Sequence, residues 1–149
     1  MKLQALFKAD IELAPAQELG AGPLGRRRII AITGGRFFGE RLSGRVLPGG
    51  ADWQVIRADG VADLDARYTL ETADGALVYV RNRGYRHGPA EVLKRLAAGE
   101  NMDPAQYYMR TTPLFETGDE RYAWLNRIVC VATGRRDPSG PVYEVFQIL

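Results

Sequence analysis

Chemistry in this chain would rest first on its carboxylates. Asp52 stands just inside an extended run, after the turn Pro48-Gly49-Gly50 and directly before Trp53. Asp65 lies two residues before Arg67, and on a strand that spacing puts both side chains on one face. Facing inward, the pair would be a charge-compensated polar spot in an apolar cavity, because a buried charge needs a partner. Its carboxyl would then be tuned for proton transfer by desolvation against the field of the arginine. Facing outward, the same pair is a surface ion pair of little energetic weight. The alternation of Leu64, Ala66, Tyr68 and Leu70 favours the outward reading, since those four make the cleaner core face. Asp52, Asp65 and Arg67 are the candidate catalytic residues, and Asp52 takes over as acid or base if the pair lies outside.

A second group is suited to binding. Tyr122, Trp124 and Asn126 fall on one face of the run from Tyr122 to Thr133, which alternation makes the longest strand. Tyr108 and Arg110 share a face of the run before it, and Glu116 follows Phe115 in the connection. Ligand pockets combine aromatic bodies with a few polar tips. Trp53 and Trp124 would orient an apolar body, Arg67 or Arg110 would hold an anionic or carbonyl oxygen, and Tyr79 or Tyr122 would donate a hydrogen bond. Asn82, Glu116 and Asn126 complete the expected polar lining of one pocket at a barrel mouth. Only part of this set can face inward, because Asp65 and Arg67 lie opposite Tyr68. The plain alternative is a packed aromatic core with Asn126 bonded internally.

Other chemistries find no support. A single Cys excludes an internal disulfide, and a single His excludes a site built from several imidazoles. Thr33-Gly34-Gly35 and Pro48-Gly49-Gly50 precede no helix, so neither reads as a phosphate loop. Ser43 and Ser139 lack a nucleophile-elbow context for His87, and Cys130, between Val129 and Val131, reads as a buried structural thiol. His87 reads as an exposed loop residue among arginines. No metal and no cofactor are therefore expected. The net charge is only +2, and the one dense cationic run, Arg26-Arg27-Arg28, reads as a solvated strand entrance. Nucleic acid, which demands many phosphate contacts, is not an expected partner. Neither a signal-like apolar core nor a run of membrane-spanning length occurs, so a cytoplasmic location is expected.

The elements that must carry these residues are mostly strands. Leu3 to Leu13 alternates, whereas Ala14 to Gly25, with Pro15, Gly20, Gly22 and Pro23, reads as a loop or mobile flap. Arg28 to Thr33, Leu42 to Val46 and Asp52 to Arg57 follow as short strands. Leu64 to Thr72 and Ala76 to Arg83 flank Asp74-Gly75, a strong hairpin signal. One helix is expected from Pro89 to Ala98, with Gly99 as its stop. Tyr107 to Thr112, closed or kinked by Pro113, and Val142 to Leu149 complete the strands. Many short strands, interior glycines and one short helix predict an all-β fold: a single antiparallel, closed or nearly closed β-barrel over residues 1–149.

Four blocks carry a resemblance. They are Pro23-Leu24-Gly25 leading to Ile32-Thr33-Gly34-Gly35; Val46 to Trp53; Asp65-Ala66-Arg67-Tyr68 with Asp74 to Tyr79 and Arg81 to Gly84; and Phe115 to Gly118 with Tyr122 to Asn126. In this order they resemble the bacterial and fungal domain-of-unknown-function family 3237. The resemblance implies a calycin-like antiparallel barrel and carries over no catalytic residue. Residues and resemblance together suggest a barrel that binds a small, partly apolar organic molecule. Its reaction would be a cofactor-free isomerisation, cyclisation or elimination. A non-catalytic, lipocalin-like binding barrel and a structural oligomer without a cavity are the alternatives. Apolar residues on both faces of Ile29–Ile32 and Ile128–Val131 suggest a homodimer.

Overall fold

Asp74-Gly75 closes the hairpin that organises the sheet. In the computed structural model, which describes residues 1–149, it joins β6 (Ala62–Thr72) to β7 (Leu77–His87), paired antiparallel from Ala62↔Arg86 to Glu71↔Leu77. Gly75 takes a positive φ of 90°, where a side chain would be strained. Alternation decides the faces: Leu64, Tyr68, Leu70, Val78 and Val80 are buried, while Arg67, Tyr79 and Arg81 are exposed.

Around this hairpin stand β1 (Leu3–Leu13), β2 (Gln17–Gly22), β3 (Gly25–Phe38), β4 (Ser43–Val46), β5 (Gly50–Ile56), β8 (Tyr108–Glu116), β9 (Cys130–Asp137) and β10 (Gly140–Ile148). The order β1-β10-β9-β8-β7-β6-β4-β3, with β1 paired back onto β3, closes an eight-strand antiparallel barrel. β4 and β5 share one slot in the wall: each pairs with a different stretch of both β3 and β6. Closure removes the free edges of an open sheet. It also forces close approaches: at Gly44 a Cβ would collide with the Glu71 carbonyl oxygen.

Three segments depart from the pattern expected of them. The expected loop at Ala14–Gly25 contains β2, which pairs with the first half of β3 despite its glycines. Pro113 does not end its strand, because β8 runs on to Glu116. β8 pairs with β9 only at Arg110↔Thr133 and Thr111↔Ala132, so beyond that point the missing proline N–H costs no ladder bond. The expected strand from Tyr122 to Thr133 is instead a 3-10 helix, Glu120–Arg127, followed by β9 from Cys130. The Asp119 carboxylate caps that helix by accepting from Arg121 N at 3.0 Å.

The expected helix forms as α1 (Ala90–Ala97), across one end of the barrel. His87 is the last residue of β7 rather than a loop residue, stacked on Tyr108 at 4.7 Å. The core joins Phe7, Phe37 and Phe115 with inward residues of every long strand. Cys130 is among them, its thiol pushed up to about 11 by burial. No helix is long and apolar enough to cross a membrane.

Candidate functional site

Register identifies a polar interior at the end beneath α1. On β5, Asp52 and Ile56 pair with Ala66 and Ala62 of β6, whose phase holds Leu64 and Tyr68 in the core. On β3, Ile30 and Ile32 set the inward phase, which Arg28 and Arg26 continue. On β7, Val78, Val80 and Asn82 are buried, and the same phase carries on to Arg86. Arg86 and Arg136 thus reach one cavity of about 460 Å³, which Leu93, Lys94 and Leu96 of α1 partly cover.

A hydrogen-bonded chain runs down from that mouth. Glu18 accepts from Arg28 Nε at 2.8 Å, and Arg28 Nη1 donates to Gln54 Oε1 at 3.1 Å. Gln54, only 1% exposed, turns its amide nitrogen to Asp52 Oδ2 at 3.1 Å. The other Asp52 oxygen accepts from the backbone N of Asp65 at 2.9 Å, where the β5–β6 ladder is interrupted. Burial raises the proton affinity of Asp52 above its ordinary value of 3.8, outweighing those two hydrogen bonds and the attraction of Arg86. Burial likewise pushes the phenols of Tyr68 and Tyr143 up, and for Tyr143 the charge of Asp52 adds to it. No hydrogen bond offsets burial for either phenol. Arg86 is pushed down to about 10, by burial first and then by the neighbouring Arg136.

The expected site residues do not converge. Asp65 and Arg67 lie on the outer face as a 3.3 Å ion pair, with side chains 22% and 45% exposed. Trp53 is exposed beside them, its ring 5.9 Å from the Arg67 guanidinium. Tyr79 and Glu116 face each other across β7 and β8, both outward. Arg110 is exposed, 5.4 Å from the Tyr108 ring. Tyr122, Trp124 and Asn126 sit in the 3-10 helix at the opposite end of the barrel. There Tyr122 Oη donates to Asp74 Oδ1 at 2.9 Å, and Trp124 stacks 3.5 Å from the Arg41 guanidinium. Asn126 clamps Thr117, accepting from its N at 2.8 Å and donating to its O at 2.9 Å. Of the whole set, Asp52 and Asn82 face the interior, and Asn82 Oδ1 is buried without a partner.

Most of the residues that do converge carry no strong signal in the sequence. Arg28 belongs to the run Arg26-Arg27-Arg28, which reads as solvated, and Arg86 directly precedes His87 in an arginine-rich segment. Gln54, Arg136 and Tyr143 stand out by neither motif nor spacing, and Tyr68 reads as core. A usable signal was present: the inward phase, extended two residues past Ile30 on β3 or six past Val80 on β7, lands on Arg28 or Arg86.

A larger concavity, of about 920 Å³, lies on the outer surface where β8 and β9 part, lined by Leu3, Tyr85, Tyr108, Val131 and Phe146 among others. Size favours it, but chemistry favours the mouth, where Arg86 and Arg136 line the cavity without ion-pair partners and Asp52 lies within electrostatic reach of Arg86. No group of three or more His, Cys, Asp or Glu side chains gathers as a metal site would require.

Known proteins match this chain throughout. The family described as "Protein of unknown function (DUF3237)" matches residues 1–148. A UPF0311 protein of Bradyrhizobium diazoefficiens is 48% identical over 144 residues, covering 97% of this chain and 94% of its own length. The crystal structure of a β-barrel-like protein from Acinetobacter baumannii superposes with a TM-score of 0.86 at 47% identity, over 98% of this chain and 94% of that one. More distantly, a hydroalkoxylation enzyme of Penicillium herquei is 28% identical over 131 residues, covering 88% of this chain and 72% of that protein. An enzyme from the same fungus has a solved structure with a TM-score of 0.76 at 26% identity, over 99% of this chain and 94% of that one.

Proposed function

This chain belongs to the DUF3237 family of proteins of unknown function, and from that premise we propose that it is an enzyme whose active site is the barrel mouth beneath α1. Its substrate is a small, partly apolar organic molecule, and its reaction is a cofactor-free proton transfer that adds a hydroxyl across a conjugated alkene of the same molecule. One observation carries the reading: Asp52, a half-buried carboxyl of raised proton affinity, stands within electrostatic reach of Arg86, which lines the open cavity, and of the buried Tyr143 phenol. A base poised above the ordinary aspartate range is what proton abstraction near neutrality requires. The distant fungal relative named for hydroalkoxylation supports the reaction class.

The step needs no external reagent. Asp52 takes the hydroxyl proton, the oxygen bonds to the β-carbon of an enone, and the alkene electrons move onto the carbonyl oxygen. Tyr68 and Tyr143 donate hydrogen bonds to that developing enolate, as preorganised donors do for an oxyanion. The proton held on Asp52 then goes to the α-carbon, which restores the carboxylate and leaves an isomer of the substrate.

The test uses a chalcone with a hydroxyl ortho to its carbonyl, which can close to the cyclic ether by this step. Loss of the chalcone absorbance should be fast with the native protein. It should slow by about a hundredfold or more with Asp52→Asn, as loss of a general base does. A native protein no faster than Asp52→Asn would overturn the proposal.

A further inference from the structure

The mouth is cationic well beyond its own needs. Arg26, Arg28, Arg86, Lys94 and Arg136 line it against one carboxylate, that of Glu18. Glu18 is already engaged by Arg28 at 2.8 Å. Arg86 and Arg136 are different, since neither takes part in any ion pair of the chain. Arg136 Nε is buried with no hydrogen-bond partner, although Arg136 N donates to Tyr107 Oη at 2.8 Å and so holds the backbone in place. Asp52 acts on Arg86 through space, but its two oxygens already accept from Asp65 N and Gln54 Nε2.

Two like charges kept side by side and partly desolvated cost free energy unless a third group compensates them. A guanidinium left without an acceptor loses the strong, charge-assisted hydrogen bonds that it is built to make. The protein supplies no acceptor for Arg86 and Arg136, and the cavity they border is open to a ligand.

We infer that the substrate enters as an anion, with an acidic oxygen group such as a carboxylate or an ionised phenol or enol held between Arg86 and Arg136. This rests on the barrel mouth being the substrate site, as proposed above. The anion is an anchor remote from the reacting hydroxyl. The arginines hold a charge that exists before reaction, and Tyr68 and Tyr143 answer the charge that develops during it. Planar guanidiniums match a two-oxygen acid bidentately, so carboxylates bind better than single-oxygen anions of the same body.

Fluorescence titration with anilinonaphthalene sulfonate and with its uncharged parent, N-phenylnaphthylamine, tests this by binding alone. The sulfonate should bind the native protein about tenfold or more tighter than the parent, as one or two charge-assisted hydrogen bonds dictate. Arg86→Met with Arg136→Met should abolish that preference while leaving the affinity for the parent. If the double variant fails to fold by circular dichroism, each single Met variant should still lose several-fold of the preference. Arg110→Ala, in the outer groove, should change nothing. Equal affinity for both probes in the native protein, or a preference that survives both Met substitutions, would overturn the anion assignment only. Binding of both probes that ignores Leu93→Trp, which fills the mouth, or that is lost in Arg110→Ala, would overturn the location and the proposed function with it.

Discussion

The two ends of the barrel are built from the same strands and treat polar groups in opposite ways. At the Thr72 end of β6, Asp74 accepts from Thr72 Oγ1 at 2.6 Å and from Tyr122 Oη at 2.9 Å, and pairs with Arg121 at 3.1 Å. The Asn126 clamp on Thr117 and the stack of Arg41 on Trp124 complete a plug around the buried Leu125. At the Ala62 end, Arg136 Nε is buried without an acceptor, Arg86 takes part in no ion pair, and α1 starts without a side-chain cap. One end satisfies its polar groups internally; the other leaves several of them unpaired. Aromatic and charged residues occur at both ends, so the difference lies in whether their polar groups find partners within the chain.

That contrast can be broken or sharpened by substitution. The largest effect is expected at the plug: Leu125→Ala, at a side chain 1% exposed, should cost about 2–5 kcal/mol of stability, read from the denaturant midpoint. Its probe binding at the mouth should stay native; a matching loss there would make the two ends one unit.

A smaller and pH-dependent effect is expected at Asp52. Its proton affinity is raised on folding, so it favours the fold fully below its ordinary value of 3.8 and loses that contribution as pH climbs through its raised value. Melting temperature against pH should therefore fall over that window in the native protein and flatten in Asp52→Asn. Equal slopes would place Asp52 in a solvated setting like that of the plug carboxylates. The smallest effect belongs to the outer wall: Asp65→Ala should shift stability by less than about 1 kcal/mol, since Arg67 is 45% exposed. A loss of core size there would mean that the pair is buried after all.

The sequence made the wall legible where local signals and burial agree. Asp74-Gly75 and the alternation on either side were enough for β6 and β7, and the same alternation put Asp65 and Arg67 outside. It failed at Tyr122–Thr133, where strand-like spacing yields to a cap from Asp119 and to the bond between Tyr122 and Asp74, forty-eight residues away. Long-range partners of this kind leave no trace in spacing. The mouth is illegible in the sequence for a different reason. Charge at Arg28 and Arg86 reads as solvent exposure, yet the strand phase that buries Ile30 and Val80 turns both side chains inward. Asp52 is legible as a residue type, but strand spacing alone does not reveal that Gln54 and Arg86, not Asp65 and Arg67, supply the side chains around its carboxyl.

The pairing of β1 with β10 has a kinetic meaning. Leu3↔Ile148 and Lys8↔Glu144 join residues from opposite ends of the chain, and β1 also closes onto β3. During synthesis the wall therefore stays open until β10 has left the ribosome, and until then the unpaired flanks of β1 and β9 are exposed templates for other chains. Contacts this distant in sequence slow folding, so nascent copies should depend on chaperones more than a helical bundle of the same length would.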